Sequence, residues 1–138
     1  MNVIPLKLDG ALLLEPVVHG DHRGFFMESF NEATLQERGI TCRFVQDNHS
    51  LSAEAGVLRG LHYQLPPKAQ SKLVRVLTGA IYDVIVDIRK ESSTYGNWIG
   101  VILSEYNKRQ LFVPKGFAHG FCTLVPNTQV LYKVDEYY

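Results

Sequence analysis

Hydrophobic residues along this chain fall in short runs, several alternating with polar ones at period two, and nearly every run is closed by Gly, Pro, Asn or Ser. That pattern predicts β-strands joined by turns. Ordered along the sequence, strands are predicted over 11–17, 23–30, 43–47, 57–64, 72–77, 80–89, 98–104, 110–113, 118–124 and 128–135, with His19-Gly20-Asp21-His22 as a polar turn. One short helix is predicted over 32–38, because Asn31 can cap it, Glu32 suits its positive end and Gly39 stands where a helix terminus takes a left-handed residue. Parallel strands need long crossovers, usually helical, and no long helical pattern is present. An all-β antiparallel sandwich or barrel follows.

The clearest strand, 80–89, places Tyr82, Val84, Val86 and Ile88 on one face and Asp83 and Asp87 on the other. Either the aspartates face water, or Asp83 is buried and must have a partner, since an unpaired buried carboxylate is costly.

At 138 residues the chain fits a single domain, and 46% hydrophobic with 20% charged residues marks an ordinary globular protein. Fourteen basic and fourteen acidic residues cancel, so no global field draws the chain to nucleic acid or an anionic membrane. An anionic ligand would have to be held by a local cluster. No apolar run approaches the roughly 20 residues of a membrane span, and the N-terminus lacks a signal-peptide layout. A cytoplasmic location is expected. Cys42 and Cys122 sit in unrelated contexts, which predicts reduced thiols rather than a disulfide or metal motif.

Chemistry concentrates in two stretches. Gly56-Val57-Leu58-Arg59-Gly60-Leu61-His62-Tyr63-Gln64 carries Arg59, His62 and Tyr63 in an otherwise apolar run, with Lys72 one strand further on. Val113-Pro114-Lys115-Gly116-Phe117-Ala118-His119-Gly120-Phe121 has the form Pro-x-Gly-x-x-His, a tight turn that delivers a histidine to the start of a strand. The second stretch resembles the second motif of the cupin superfamily of small β-barrels. Metal cupins carry a His-x-His pair in the first motif, whereas this chain reads His62-Tyr63-Gln64. His62 and His119 fall one short of the usual three ligands, so no metal and no cofactor is expected. Each histidine alone could be a hydrogen-bonded core residue. Together with Lys72 they suggest proton chemistry: a histidine as general base, a lysine at a developing oxyanion and a tyrosine returning the proton. Tyr132 shares a strand face with Val130 and Val134 and is expected to face the core, where it could equally be an ordinary buried tyrosine.

The ordered set Arg23-Gly24-Phe25-Phe26-Met27-Glu28, Phe44-Val45-Gln46-Asp47-Asn48, Leu58 to Gln64, Lys72, Tyr82 to Arg89 and Val113 to Phe121 resembles the dTDP-4-dehydrorhamnose 3,5-epimerase family over essentially the whole chain. The resemblance implies a metal-free cupin jelly roll, usually a homodimer, that inverts C3 and C5 of a dTDP-linked 4-keto-6-deoxyhexose on the way to deoxysugars of surface polysaccharide. It implies His62 as base, Lys72 at the enolate oxygen, Tyr132 as proton donor, and His119 on the sugar with Asp83 as its partner. It further implies Arg23 and Arg59 on the diphosphate, Glu28, Gln46, Asp47 and Asn48 on the nucleotide, and Phe26 and Tyr138 stacked on thymine. Arg59 and His62 are an odd number apart, so both reach one ligand only if Gly60 introduces a bulge. Chains of that family continue past the position of Tyr138 with a segment that supplies an aspartate to the catalytic histidine. The resemblance therefore leads us to expect a shortened domain with weakened catalysis, the alternatives being an inactive dTDP-sugar-binding protein or a related ketoisomerase.

Overall fold

In the computed structural model, which describes residues 1–137, every strand pair is antiparallel. The elements run β1 (Asn2–Pro5), β2 (Leu12–Glu15), β3 (His19–Asp21), β4 (Gly24–Phe26), α1 (Glu32–Glu37), β5 (Gln46–Ser52), β6 (Leu58–His62), β7 (Lys72–Thr78), β8 (Ala80–Asp87), β9 (Trp98–Ser104), β10 (Gln110–Val113), β11 (Phe117–Thr123) and β12 (Thr128–Val134). A six-stranded sheet, β1-β2-β10-β7-β12-β5, faces a four-stranded sheet, β6-β11-β8-β9, and β3 with β4 forms a separate hairpin. Neighbours distant in sequence, such as β2 with β10 and β6 with β11, make this a jelly-roll barrel of the kind expected of a cupin. Among the described residues no helix is long and apolar enough to cross a membrane.

The core lies between the sheets, where Leu13, Val74, Val76, Leu111 and Val130 of one meet Ile81, Ile85, Leu103 and Phe121 of the other. Each such side chain contributes about 1.5–3 kcal/mol through burial. A second cluster, Leu14, Leu35, Ile40, Leu73 and Phe112, pins α1 to the large sheet through Leu35. Asn31 caps this helix as expected, its side-chain oxygen accepting from the Thr34 amide at 3.1 Å.

Three sequence expectations are corrected. The first strand of the chain is β1, not the run 11–17, and it pairs with β2 of the same chain. The stretch 23–30 is not one strand: β4 covers only Gly24–Phe26 and pairs back on His19–Asp21, which was expected as a turn. The strand expected over 43–47 begins at Gln46 and runs to Ser52, while Phe44 packs against the helix cluster.

On β8 the aspartates point inward. Ile81, Asp83, Ile85 and Asp87 are all at 0% exposure, and Tyr82, Val84 and Val86 face outward. Asp87 accepts from the backbone and guanidinium of Arg89 and from the Ser92 and Thr94 hydroxyls, at 2.5 to 3.1 Å. The Arg89 contact, followed by the two hydroxyls, holds this carboxyl well below the usual carboxylate range. Asp87 therefore ties the loop after β8 to the end of the barrel, and Arg89 lies over the Phe117 ring at 4.7 Å.

Candidate active site

A cavity of about 360 Å³ opens between the two sheets, lined in part by His62, Lys72, His119 and Tyr132. Lys72 and Tyr132 come from the large sheet. On β7 the inward residues are Lys72, Val74 and Val76, and on β12 they are Val130, Tyr132 and Val134, with Val74 directly opposite Tyr132. Lys72 is thus the diagonal neighbour of Tyr132, and its ammonium sits 5.5 Å from the centre of that ring. Lys72 is only 7% exposed. Burial pulls its pKa below the ordinary lysine value, and the Asp83 carboxylate acts in the opposite sense.

His62 and His119 come from the small sheet, where they face each other across β6 and β11. The register then shifts: Arg59 opposes Phe121, so Gly60 and Leu61 together stand against Gly120 alone. This bulge places Arg59 on the same face as His62, which an unbroken strand would forbid. Only glycine fits at its centre. Gly60 has φ +106, and a Cβ there would lie 2.7 Å from the His119 carbonyl oxygen. Arg59 crosses the gap between the sheets, its Nε donating to Ser52 Oγ at 3.0 Å and its Nη2 to the Leu51 carbonyl at 3.1 Å.

His119 Nε2 donates to Asp83 Oδ1 at 2.6 Å, both groups being buried. Asp83 lies diagonally across β8 from His119, since Phe121 is its direct opposite. The buried aspartate thus has the partner that its position demanded. His62 is exposed at the cavity mouth, and none of the described residues hydrogen-bonds its imidazole. Among the described residues no three His, Cys, Asp or Glu side chains stand together as a metal-ligand set.

The remaining sequence candidates lie elsewhere. Arg23, with its side chain 79% exposed, pairs with Asp21 on the β3–β4 hairpin, and Phe26 on that hairpin is 68% exposed. Glu28 accepts from Asn31 near α1. None of these three lines the cavity of this chain. Gln46 donates to Asn48 at 2.8 Å on the inward side of β5. Asp47 points outward and pairs with Lys133 at 2.9 Å, so three successive residues of one strand are not brought to one ligand. Tyr138 lies outside the described residues. Two residues that sequence reasoning passed over also face inward from β5: Ser52, which holds Arg59, and Ser50, whose hydroxyl is buried in the cavity wall without a partner among the described residues. Two serines in a polar strand carry no signal in the sequence.

The family model described as dTDP-4-dehydrorhamnose 3,5-epimerase matches residues 5–138. An enzyme of that name from Shigella flexneri is 57% identical over 139 residues, covering 100% of this chain and 76% of the relative. Among solved structures, the dTDP-4-dehydrorhamnose 3,5-epimerase of Bacillus anthracis, with TDP and PPi bound, is 64% identical with a TM-score of 0.97, over 99% of this chain and 78% of that one. A dTDP-6-deoxy-D-glucose-3,5-epimerase from Legionella pneumophila, in complex with dTDP-4-keto-L-rhamnose, is 54% identical with a TM-score of 0.94, over 99% of this chain and 72% of that one.

Proposed function

The chain belongs to the dTDP-4-dehydrorhamnose 3,5-epimerase family, isomerases of dTDP-rhamnose biosynthesis, and on that premise we propose that its cavity inverts C3 and C5 of a dTDP-linked 4-keto-6-deoxyhexose. One observation carries the reading: a histidine and a tyrosine enter the cavity from opposite sheets. Inversion at carbon needs a base on one face of the sugar and an acid on the other.

The C4 ketone acidifies the protons on both flanking carbons. His62, on the small-sheet wall, takes one of them. Negative charge then develops on the C4 oxygen, and the Lys72 ammonium stabilises it in a site that excludes most water. Tyr132, on the large-sheet wall, returns a proton to the opposite face. His62 ends protonated and Tyr132 ionised, so both must exchange with solvent before the next inversion. His119, oriented by Asp83, holds the sugar. Arg59 takes the diphosphate, and the thymine stacks on Phe26.

Arg23, Phe26 and Glu28 fit this scheme only if their hairpin reaches the cavity of a second copy, so the reading includes a homodimer. It also includes a cytoplasmic location, which suits the two free thiols, Cys42 and Cys122. Burial, then the nearby Asp135 charge, raises the Cys42 thiol to about 11 and keeps it unreactive.

The test is incubation of dTDP-4-keto-6-deoxyglucose with the protein in heavy water, followed by NMR. Deuterium is expected at both C3 and C5, and His62→Ala is expected to abolish it. A product with its ketone moved, or unlabelled sugar with the intact chain, would overturn the epimerase reading.

A further inference from the structure

We propose that Ser50 bonds the C2 hydroxyl of the sugar and makes the cavity selective for 4-keto sugars that keep this hydroxyl over their 2-deoxy counterparts. The inference rests on the epimerase reading and adds a specificity residue to it.

The Ser50 hydroxyl is buried in the cavity wall and, among the described residues, makes no hydrogen bond. A buried hydroxyl without a partner is destabilising, so it persists where a ligand satisfies it. Its neighbours say which part of the ligand that is. Two residues along the same face of β5, Ser52 holds Arg59, the diphosphate arginine. On the adjoining strand Ser50 lies opposite Val130, which makes Tyr132 its diagonal neighbour. Ser50 therefore stands between the group that grips the diphosphate and the group that reprotonates carbon. On the sugar, the diphosphate is at C1 and the first reacting carbon is C3. C2 joins them and carries a hydroxyl that can both donate and accept, matching the two capacities of serine. The other path from C1 to a reacting carbon runs through the ring oxygen, which only accepts.

The experiment compares kcat/KM for dTDP-4-keto-6-deoxyglucose and for its 2-deoxy counterpart, in the wild type and in Ser50→Ala. The wild type is expected to prefer the 2-hydroxy sugar by about tenfold, the value of one neutral hydrogen bond. Ser50→Ala is expected to bring the ratio to within about twofold of one, chiefly by losing activity on the 2-hydroxy sugar. Its melting temperature should not fall, because the hydroxyl has no hydrogen-bond partner among the described residues to lose. An unchanged ratio in a folded, active Ser50→Ala protein would overturn the assignment, placing the hydroxyl on the ring oxygen or on no sugar atom. A melting temperature that drops would also count against it, by showing the hydroxyl to be structural. A wild type that exchanges hydrogen on neither sugar would instead overturn the epimerase reading itself, and the role of Ser50 with it.

Discussion

Lys72 is held between two opposed influences, a dry setting that disfavours its ammonium and the Asp83 carboxylate that favours it. Removing the carboxylate charge leaves only the first. Asp83→Asn is therefore expected to lower the Lys72 pKa further and to move the alkaline limb of the kcat/KM profile to lower pH. Lys72→Arg, which cannot deprotonate in this range, should lose the limb altogether. A limb that stays put in both variants would assign it to another group. The same depressed pKa makes Lys72 a burden on stability. Its folded form binds a proton less readily than the unfolded chain, so stability rises with pH from the folded pKa up towards 10.5 and is diminished at neutral pH. Lys72→Met should accordingly raise the melting temperature by a few degrees while abolishing deuterium exchange, a trade of activity for stability that thermal denaturation can check. At this scale the sequence was legible where a side chain broke a strong pattern. Lys72 and Tyr132 share a strand face with buried valines, so parity carries them inward, whereas His62 lies at the exposed cavity mouth and shares a face with Arg59 only through the Gly60 bulge. Asp47 was misplaced for the same physical reason in reverse, because neighbours on a strand cannot share a face. Ser50 was invisible, since a small hydroxyl does not disturb the pattern of a strand that is polar throughout.

The β6–β11 bulge converts two separate residues into one site. It needs a residue with positive φ and no Cβ, and Gly60 meets both conditions. Gly60→Ala should cost about 2–3 kcal/mol, through the backbone strain and the contact with the His119 carbonyl, and should lower activity beyond what lost stability explains. Activity measured well below the melting temperature separates the two effects. An active, fully stable alanine variant would show that Arg59 and His62 need no bulge to work together. The loop after β8 makes an independent comparison, because it lies away from the cavity. Asp87→Ala strands the Arg89, Ser92 and Thr94 donors and should destabilise by about 3 kcal/mol, leaving kcat nearly unchanged. For the parent protein the sign of the acid dependence follows from the lowered Asp87 pKa: its contribution is complete above the ordinary value near 3.8 and fades as pH falls below it. Element boundaries were legible where strands bury apolar faces, as for β9 and β10, whose predicted limits match the structure. They were not legible for β3 or β5. The inward face of β5 borders a polar cavity rather than the core, so its strand carries no apolar alternation, and the apolar Phe44 before it belongs to the helix cluster instead.

Within one chain the cavity is lined by Arg59, His62, Lys72, His119 and Tyr132, while Arg23, Phe26 and Glu28 remain on or beside an exposed hairpin. Phe25 and Phe26 stand out to solvent on its second strand, and among the described residues β1 and β5 have no strand beyond them at the edges of the large sheet. Exposed aromatic side chains and unpaired sheet edges are features that a symmetric partner covers. In a homodimer with twofold symmetry, each hairpin can be given to the other chain's cavity, so that one pocket draws its base from one chain and its hairpin cation from the other. This arrangement makes a prediction that a monomer cannot imitate. Arg23→Ala and His62→Ala proteins should each be almost inactive alone. Mixed and allowed to exchange subunits, they form mixed dimers in which one pocket joins the intact His62 of the first chain to the intact Arg23 of the second, while the other pocket lacks both. Random reassortment makes half the dimers mixed, so activity should recover to about one quarter of the wild-type value. Light scattering on the same sample should report a dimer at micromolar concentration. A mixture that stays inactive although scattering and mass analysis show exchanged dimers would mean that each hairpin serves its own chain, and that Arg23 must reach the diphosphate by moving within one protomer.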